Sequence, residues 1–394
     1  MGQMRAVSTS EAEYAEALAA YEAGLLYPTR QRLRALLRQD PMHVPALILD
    51  GVVAAQLLEL EAALESFDRV LAIQPDNPRA LFNKGGVLLL RGDWAGGLPL
   101  YESRWRLDEL VPHRPPPSGR SAWRGREPLA GKSILLRCEQ GIGDTLQFCR
   151  YVPLVAERGA SVVLEVQRPL VSLLADLPGL TRIVVQGARL PACDYECPLM
   201  SLPLAFGTQP ASIPQPTAYL ASDPAKVAEW RARLGPPTGR RVGLAWRGAA
   251  LRADHRRRRV PLELLLEHLP REYDYVSLQK ELSADEQRLV REHRCIADHG
   301  AEQHDFSDSA ALCACLDLVI SIDTSVAHLS AGLGRPTWIL LPYSPSWRWL
   351  LDRTDSPWYR SAALFRQSRV DDWNDVYRRV AVELRALLPS GSAG

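Results

Sequence analysis

The chain has 394 residues, 46% hydrophobic and 24% charged, with a formal net charge of +1. The length exceeds one ordinary core, so two or three domains are expected, and the near-neutral balance argues against binding nucleic acid or membrane through global charge. Seven cysteines, with no Cys-x-x-Cys pair and an odd count, argue against a disulfide framework and fit reduced thiols.

The first residues lack an apolar signal-type core. Position six is Ala6, which leaves N-myristoylation unsupported. No apolar run is long enough to cross a bilayer, so a cytoplasmic protein without an integral membrane segment is expected. Residues 1–110 carry an internal repeat. Pro41 to Leu47 aligns with Pro75 to Leu81 at an offset of 34 residues. Between Val44 and Asn77, Gly51 and Ala63 are small where two helices would cross, Phe67 would fill the space between units, and Pro75 would end the second helix. The next unit keeps Leu81, Gly85 and Tyr101, with Gly97 in place of the alanine, and the first is degraded, as end units often are. With this period and these positions the segment is identified as tetratricopeptide repeats, an α-solenoid that presents a concave peptide-binding face. Stacking on a neighbouring domain or mediating oligomers is the alternative role.

Residues 111–130 form a proline-rich linker. Residues 131–220 read as a first α/β half: a strand at Ser133–Arg137, a glycine-bearing turn at Cys138–Asp144, and a helix from Thr145 to Glu157 that Pro153 kinks or shortens. Asp144 at the helix start is either an N-cap or a carboxylate placed to take a proton. Residues 221–388 read as a second half, and 389–394 as a flexible tail. Arg256 to Arg259 follow the strand Arg241–Trp246, where guanidinium forks would meet phosphate oxygens; a solvated charge run is the alternative. Lys280 follows the next strand. Leu318 to Pro342 reads strand, turn, helix, turn, strand, with Asp323, Thr324 and Ser325 where the helix begins and where an anion would bind. Trp347 and Trp349 lie in an aromatic loop that would stack on a base or acceptor, or else pack between domains.

Taken together, Glu139 to Phe148, Val242 to Trp246, Arg258 to Leu262, Val276 to Lys280, Ile322 to His328 and Trp347 to Leu350 resemble the GT-B glycosyltransferases, specifically the heptosyltransferase-like family nine, and bacterial proteins that fuse tetratricopeptide repeats to such a domain. The resemblance implies an α-solenoid followed by two Rossmann-like halves, acceptor side first and nucleotide-sugar side second. It implies Asp144 as general base. It also implies a donor site containing Gly143, Arg258, Lys280, Asp323, Thr324, Ser325 and His328. Arg258 stands where those enzymes place a lysine, and Arg247 where the repeat-fused proteins commonly have serine. The implied reaction is metal-independent, inverting transfer from a nucleotide sugar to a hydroxyl, with no cofactor and no metal site. The repeats suggest a protein acceptor, with flagellin as one case. A catalytically silent adaptor and a nucleotide-sugar epimerase are the alternatives.

Overall fold

The structure, a computed structural model, describes residues 9–108, 119–248, 260–293 and 296–388. The expected tail and most of the expected linker lie outside these residues. The described residues fall into two compact units: 9–108 with 343–351, and 119–342 with 352–388.

The first unit is built from six helices, α1 (Thr9–Glu22), α2 (Leu26–Gln39), α3 (Val44–Gln56), α4 (Leu60–Ile73), α5 (Pro78–Arg91) and α6 (Trp94–Tyr101), each packed on the next. Their starts follow from local chemistry. His43, Asn77 and Asp93 accept hydrogen bonds from first-turn N–H groups, and prolines occupy the opening turns of α3 and α5, where a missing N–H costs nothing. The 34-residue offset is visible in the packing. A Cβ on Gly51 would sit 2.5 Å from the Phe67 ring, and one on Gly85 would sit 2.8 Å from the Tyr101 backbone nitrogen. Only glycine permits these approaches, and Phe67 is wholly buried.

Tyr343–Leu351 completes this unit, although the sequence suggested a loop of the second α/β half. Trp347 meets Trp94 and Tyr101 edge-on at 5.5 and 5.9 Å, and Ser344 Oγ donates to the Ala55 carbonyl at 3.1 Å. Trp347 is 7% exposed and Trp349 is fully buried. A buried indole has no open face for a ligand to stack on, so the expectation of base or acceptor stacking by Trp347 and Trp349 is corrected to packing.

The second unit holds two parallel sheets, as the strand–helix alternation predicts. The first, in the order β1-β5-β2-β3-β4, comprises β1 (Ser121–Ala122), β2 (Ser133–Arg137), β3 (Ser161–Val166), β4 (Leu180–Val185) and β5 (Tyr195–Pro198). It begins upstream of the expected start at 131, because β1 pairs with β5 and the buried Trp123 packs against Phe206. The second, in the order β11-β10-β9-β6-β7-β8, comprises β6 (Arg241–Ala245), β7 (Asp274–Ser277), β8 (Ile296–Asp298), β9 (Leu318–Ile322), β10 (Thr337–Leu341) and β11 (Ala362–Arg366). β6 and β9 are buried along their whole length, which is what apolar runs covered on both faces require.

Strand order locates the crevices. The first sheet grows from β2 through β3 to β4 and then returns on the other side of β2 with β5. The second grows from β6 through β7 to β8 and returns with β9. Such reversals leave a crevice at the carboxyl ends of the central strands. The turn Cys138–Gly141 opens from β2 at one crevice. Trp246–Gly248 and Asp323–Ser325 open from β6 and β9 at the other.

Candidate functional site

After β2 the chain passes through Gln140, whose φ of +52° is uncommon for a residue with a side chain, and enters α7 (Ile142–Phe148) at Gly141. Asp144 closes this turn: its Oδ2 accepts the Gly141 N–H at 2.9 Å. Glu139, 2% exposed, accepts from the Met200 N–H at 3.1 Å and fixes the other side of the loop. Beneath it, the buried Arg137 pairs with Glu165 at 3.0 Å and Glu196 at 3.6 Å. The predicted long helix is divided. A 3-10 turn at Cys149–Tyr151 separates α7 from Val152–Glu157, where Pro153 fits the new first turn.

After β9, Thr324 is the N-cap of the Ser325–Gly332 helix, but its side chain makes no capping bond. Its hydroxyl instead lies 3.1 Å from Ser321 Oγ. Thr324 therefore leaves the first-turn N–H groups of this helix without a bond from its own side chain, an arrangement that attracts anions. Asp323 Oδ1 lies 3.5 Å from His328 Nε2, and His328 Nδ1 lies 2.7 Å from Tyr359 Oη. His328 is 4% exposed.

These two turns meet. A Cβ on Gly143 would lie 2.9 Å from His328 Cδ2 and 3.5 Å from Ser325 Cα, so a glycine is what lets the start of α7 approach the Ser325 helix. On the other side, a Cβ on Gly248 would lie 3.5 Å from Thr324 Cγ2. The loop carrying Gly248 is pinned from below. Gln279 Oε1 accepts the N–H groups of Trp246 and Arg247, each at 3.1 Å. Glu286 accepts from Trp246 Nε1 at 2.9 Å and Arg247 Nε at 2.8 Å. Burial opposes the charge of Glu286, but its bonds to Ser283, Trp246 and Arg247 outweigh that and hold its pKa below the usual carboxylate value.

Behind the junction lies a buried cation. Arg150, 3% exposed, donates to the carbonyls of Gln147, Pro214 and Trp358 and to Tyr219 Oη, and it stacks at 4.5 Å on both the Tyr219 and Tyr359 rings. Tyr219 Oη also donates to the Leu146 carbonyl at 2.8 Å, and Tyr359 reaches His328. One aromatic pair thus touches both helices, α7 at Leu146 and the Ser325–Gly332 helix at His328. Burial pushes both phenols up, so they act here as neutral groups. The Cys138 and Cys149 thiols are likewise pushed up to about 12 by burial, which removes them as nucleophiles near neutral pH.

Of the predicted residues, Gly143, Asp144, Thr324, Ser325, Asp323 and His328 come together. Lys280 is exposed, and its Nζ donates to the His304 carbonyl at 3.3 Å. Arg258 lies outside the described residues. Among the described residues, no group of three or more His, Cys, Asp or Glu side chains is placed to hold a metal ion. Sequence reasoning missed Gln279, Glu286, Arg150, Tyr219 and Tyr359. Only Gln279 had a signal, its place just past the end of β7.

No family model matches the chain. Protein FlbA of Caulobacter vibrioides is 29% identical over 368 residues, covering 85% of this chain and 59% of FlbA, so the chain spans less than two thirds of that relative. Among solved structures, the ADP-heptose lipopolysaccharide heptosyltransferase II of E. coli is similar at 16% identity and a TM-score of 0.47, over 64% of this chain and 98% of that one. A glycosyl transferase of family 9 from Veillonella parvula is similar at 9% identity and a TM-score of 0.47, over 66% and 97%.

Proposed function

We infer that this protein is a glycosyltransferase that moves a sugar from a nucleotide-sugar donor to a hydroxyl acceptor, with inversion and without a metal. The observation that carries the reading is the junction of the two turns. Gly143, which precedes the held carboxylate of Asp144 in one turn, touches His328 and the Ser325 backbone at a helix start in the other whose N-cap side chain makes no capping bond. Four of the six residue blocks that resemble family nine fall on these turns and on β6 and β7 with their ends, whereas Trp347 to Leu350 packs in the helical unit and Arg258 lies outside the described residues.

In this reading the donor diphosphate lies against the N–H groups of the Ser325 helix, with Arg258 as a further cation. Asp323 and His328 orient the sugar or phosphate oxygens. Asp144 takes the proton from the acceptor hydroxyl as that oxygen bonds to the anomeric carbon. The bond from that carbon to the phosphate oxygen breaks on the opposite face, and the leaving diphosphate keeps the electron pair. Fixed N–H dipoles and guanidinium charge stabilise it as it forms. The Gly141 N–H bond orients the Asp144 carboxylate before substrate arrives, and the bonds from Gln279 and Glu286 set the position of the Arg247–Gly248 loop.

The acceptor proposed is a protein, flagellin being one case, recruited by the helical repeats, and the site of action is the cytoplasm. The test is to incubate the full chain with ADP-, GDP-, UDP- and CMP-sugars labelled in the sugar, with and without a bacterial lysate. Label transferred to protein and released nucleotide, a nucleoside diphosphate from ADP-, GDP- or UDP-sugars, are the expected results. Free monosaccharide alone would point to epimerase chemistry, label confined to lipid would overturn the protein acceptor, and no turnover of any donor would overturn the enzyme. Deleting residues 1–110 is a poor test of recruitment, because Trp347 would lose the Trp94 and Tyr101 rings that cover it.

A further inference from the structure

We propose that the amino end of the second sheet carries a separate binding site for a phosphate-monoester dianion, formed by Arg231, Arg241 and Arg335. The three arginines line one open cavity of about 410 Å³ together with Cys315 and Asp317. Arg231 comes from the last turn of the Pro224–Leu234 helix, Arg241 is the first residue of β6, and Arg335 precedes β10. Cys315 follows the Phe306–Ala314 helix, and Asp317 precedes β9. Everything here lies at the strand starts, whereas Asp323 and Ser325 lie past the strand end. The five residues of β9 separate the two places by about 16 Å at roughly 3.3 Å per residue.

The side chains that line this cavity carry a net positive charge, and a further carboxylate beside Arg241, Asp274, is bonded to Thr238 and Gly239. Three guanidiniums face one carboxylate, for a lining charge of +2. Among the described residues none of the three forms an ion pair, and the Asp317 carboxylate is engaged with the Arg241 backbone N–H at 2.8 Å. Arg241 directs one nitrogen to the Leu234 carbonyl at 3.0 Å and also reaches the Gly235 carbonyl, and Arg335 directs one to the Leu316 carbonyl. Those contacts satisfy helix-end carbonyls but no negative charge. The Arg335 Nε is buried with no hydrogen-bond partner among the described residues. Arg241 is 9% exposed, so its charge is largely withdrawn from water.

Like charges gathered in a concave, partly desolvated place cost free energy unless an anion joins them. Guanidinium forks approaching from three elements suit a tetrahedral group with several oxygens better than a flat carboxylate, and a net lining charge of +2 matches a phosphate monoester that has lost both protons. The site stands independently of the glycosyltransferase reading, since it shares no residue with the Asp144–Ser325 junction.

Cys315 supplies a local reporter, because it lines the cavity and is only partly buried, while the similarly placed Cys193 belongs to the other sheet and serves as an internal control. The full chain is alkylated with iodoacetamide in inorganic phosphate, in glycerol 3-phosphate, or in chloride at the same ionic strength, and each cysteine is followed by mass spectrometry. Phosphate and glycerol 3-phosphate are expected to slow alkylation at Cys315 and not at Cys193. Arg231→Glu, an exposed substitution, is expected to raise the concentration for half protection by about tenfold or more, the loss of one charge-assisted contact. Arg335→Gln is expected to do the same by removing a guanidinium, and it stands in for Arg241, whose replacement risks the fold. Flotation with phosphatidylcholine vesicles, with and without phosphatidic acid, identifies the source of the phosphate. Arginine-dependent capture only by phosphatidic acid assigns it to a lipid headgroup, and protection by the soluble esters without capture assigns it to a free ligand. Equal protection by chloride, or protection and capture that survive both substitutions, would overturn the site and leave the arginines as helix-end caps.

Discussion

After β2 the chain turns into α7 and closes the turn with its own aspartate, Asp144. After β9 it turns into the Ser325–Gly332 helix, leaves that helix start without a side-chain cap, and sets its aspartate, Asp323, beside His328. Both are acidic residues at the start of a helix that follows a buried parallel strand, and local sequence treats them alike. The difference is what each leaves exposed. The first turn holds a carboxylate in a fixed orientation, which suits a proton acceptor. The second offers backbone N–H groups, which suits an anion. A junction of the two needs one of each, and the glycine at 143 lets them touch.

The largest effect is expected from removing the charge in the first turn. Asp144→Asn keeps an oxygen able to accept the Gly141 N–H, so the turn and the donor affinity should persist while transfer falls about a hundredfold or more. Rates measured with saturating donor, alongside donor affinity by calorimetry, check this. Transfer at the wild-type rate would make Asp144 a turn residue only and erase the functional half of the comparison.

Gly143→Ala tests the contact itself. The new Cβ would stand 2.9 Å from His328 Cδ2, closer than such atoms pack, and His328 is buried. The overpacking should cost about 1–3 kcal/mol of stability and lower both donor affinity and transfer, by about tenfold each if the strain is taken up at the junction. Thermal denaturation and donor titration measure the two parts. A stable variant with unchanged donor affinity would mean that the turns need not touch.

Glu286→Gln tests the support under the Arg247–Gly248 loop. Gln still accepts from one donor but loses the ion pair with Arg247, for an expected loss of about 1–2 kcal/mol. The wild type should show the same dependence on pH. The folded pKa of Glu286 is lowered, so its contribution is present above the unfolded value and is lost as pH falls through the folded one. Thermal midpoints compared between the wild type and Glu286→Gln on the acid side should therefore converge. A constant gap down to full protonation would assign the effect to shape rather than charge.

What sequence alone can read follows from how far apart the partners lie. Buried strands such as Leu318–Ile322 announce themselves as β-branched runs, and the glycines at 51 and 85 declare their crossings through the 34-residue period. The positions of Asp144, Asp323 and Ser325 at helix starts are legible because strand, turn and helix follow one another locally. Arg150 is not, because its shortest bond is to the Trp358 carbonyl, 208 residues away, and no local pattern distinguishes an arginine caged by aromatics from one in solvent. The choice between stacking on a ligand and packing at Trp347 is not legible for the same reason: its neighbours Trp94 and Tyr101 belong to helices some 250 residues earlier, and an aromatic loop after a strand end resembles a ligand platform until those rings are in place.

The smallest effects separate the supports of the two turns. Tyr219 and Tyr359 share the Arg150 guanidinium, but Tyr219 Oη reaches the α7 carbonyl of Leu146 and Tyr359 Oη reaches His328. Phenylalanine at either position keeps the ring over Arg150 and removes one hydroxyl, at a cost of about 1 kcal/mol or several-fold in the property that the hydroxyl supports. Tyr359→Phe frees the Nδ1 side of His328 and so should weaken donor binding with little change in the transfer step. Tyr219→Phe loosens the carboxyl half of α7, whose start carries Asp144, and should lower transfer more than donor affinity. Donor titration and single-turnover transfer on the two variants decide the matter. If both change the same quantity by the same factor, the aromatic pair supports the junction as one body, and the two turns are mechanically a single element despite their different chemistry.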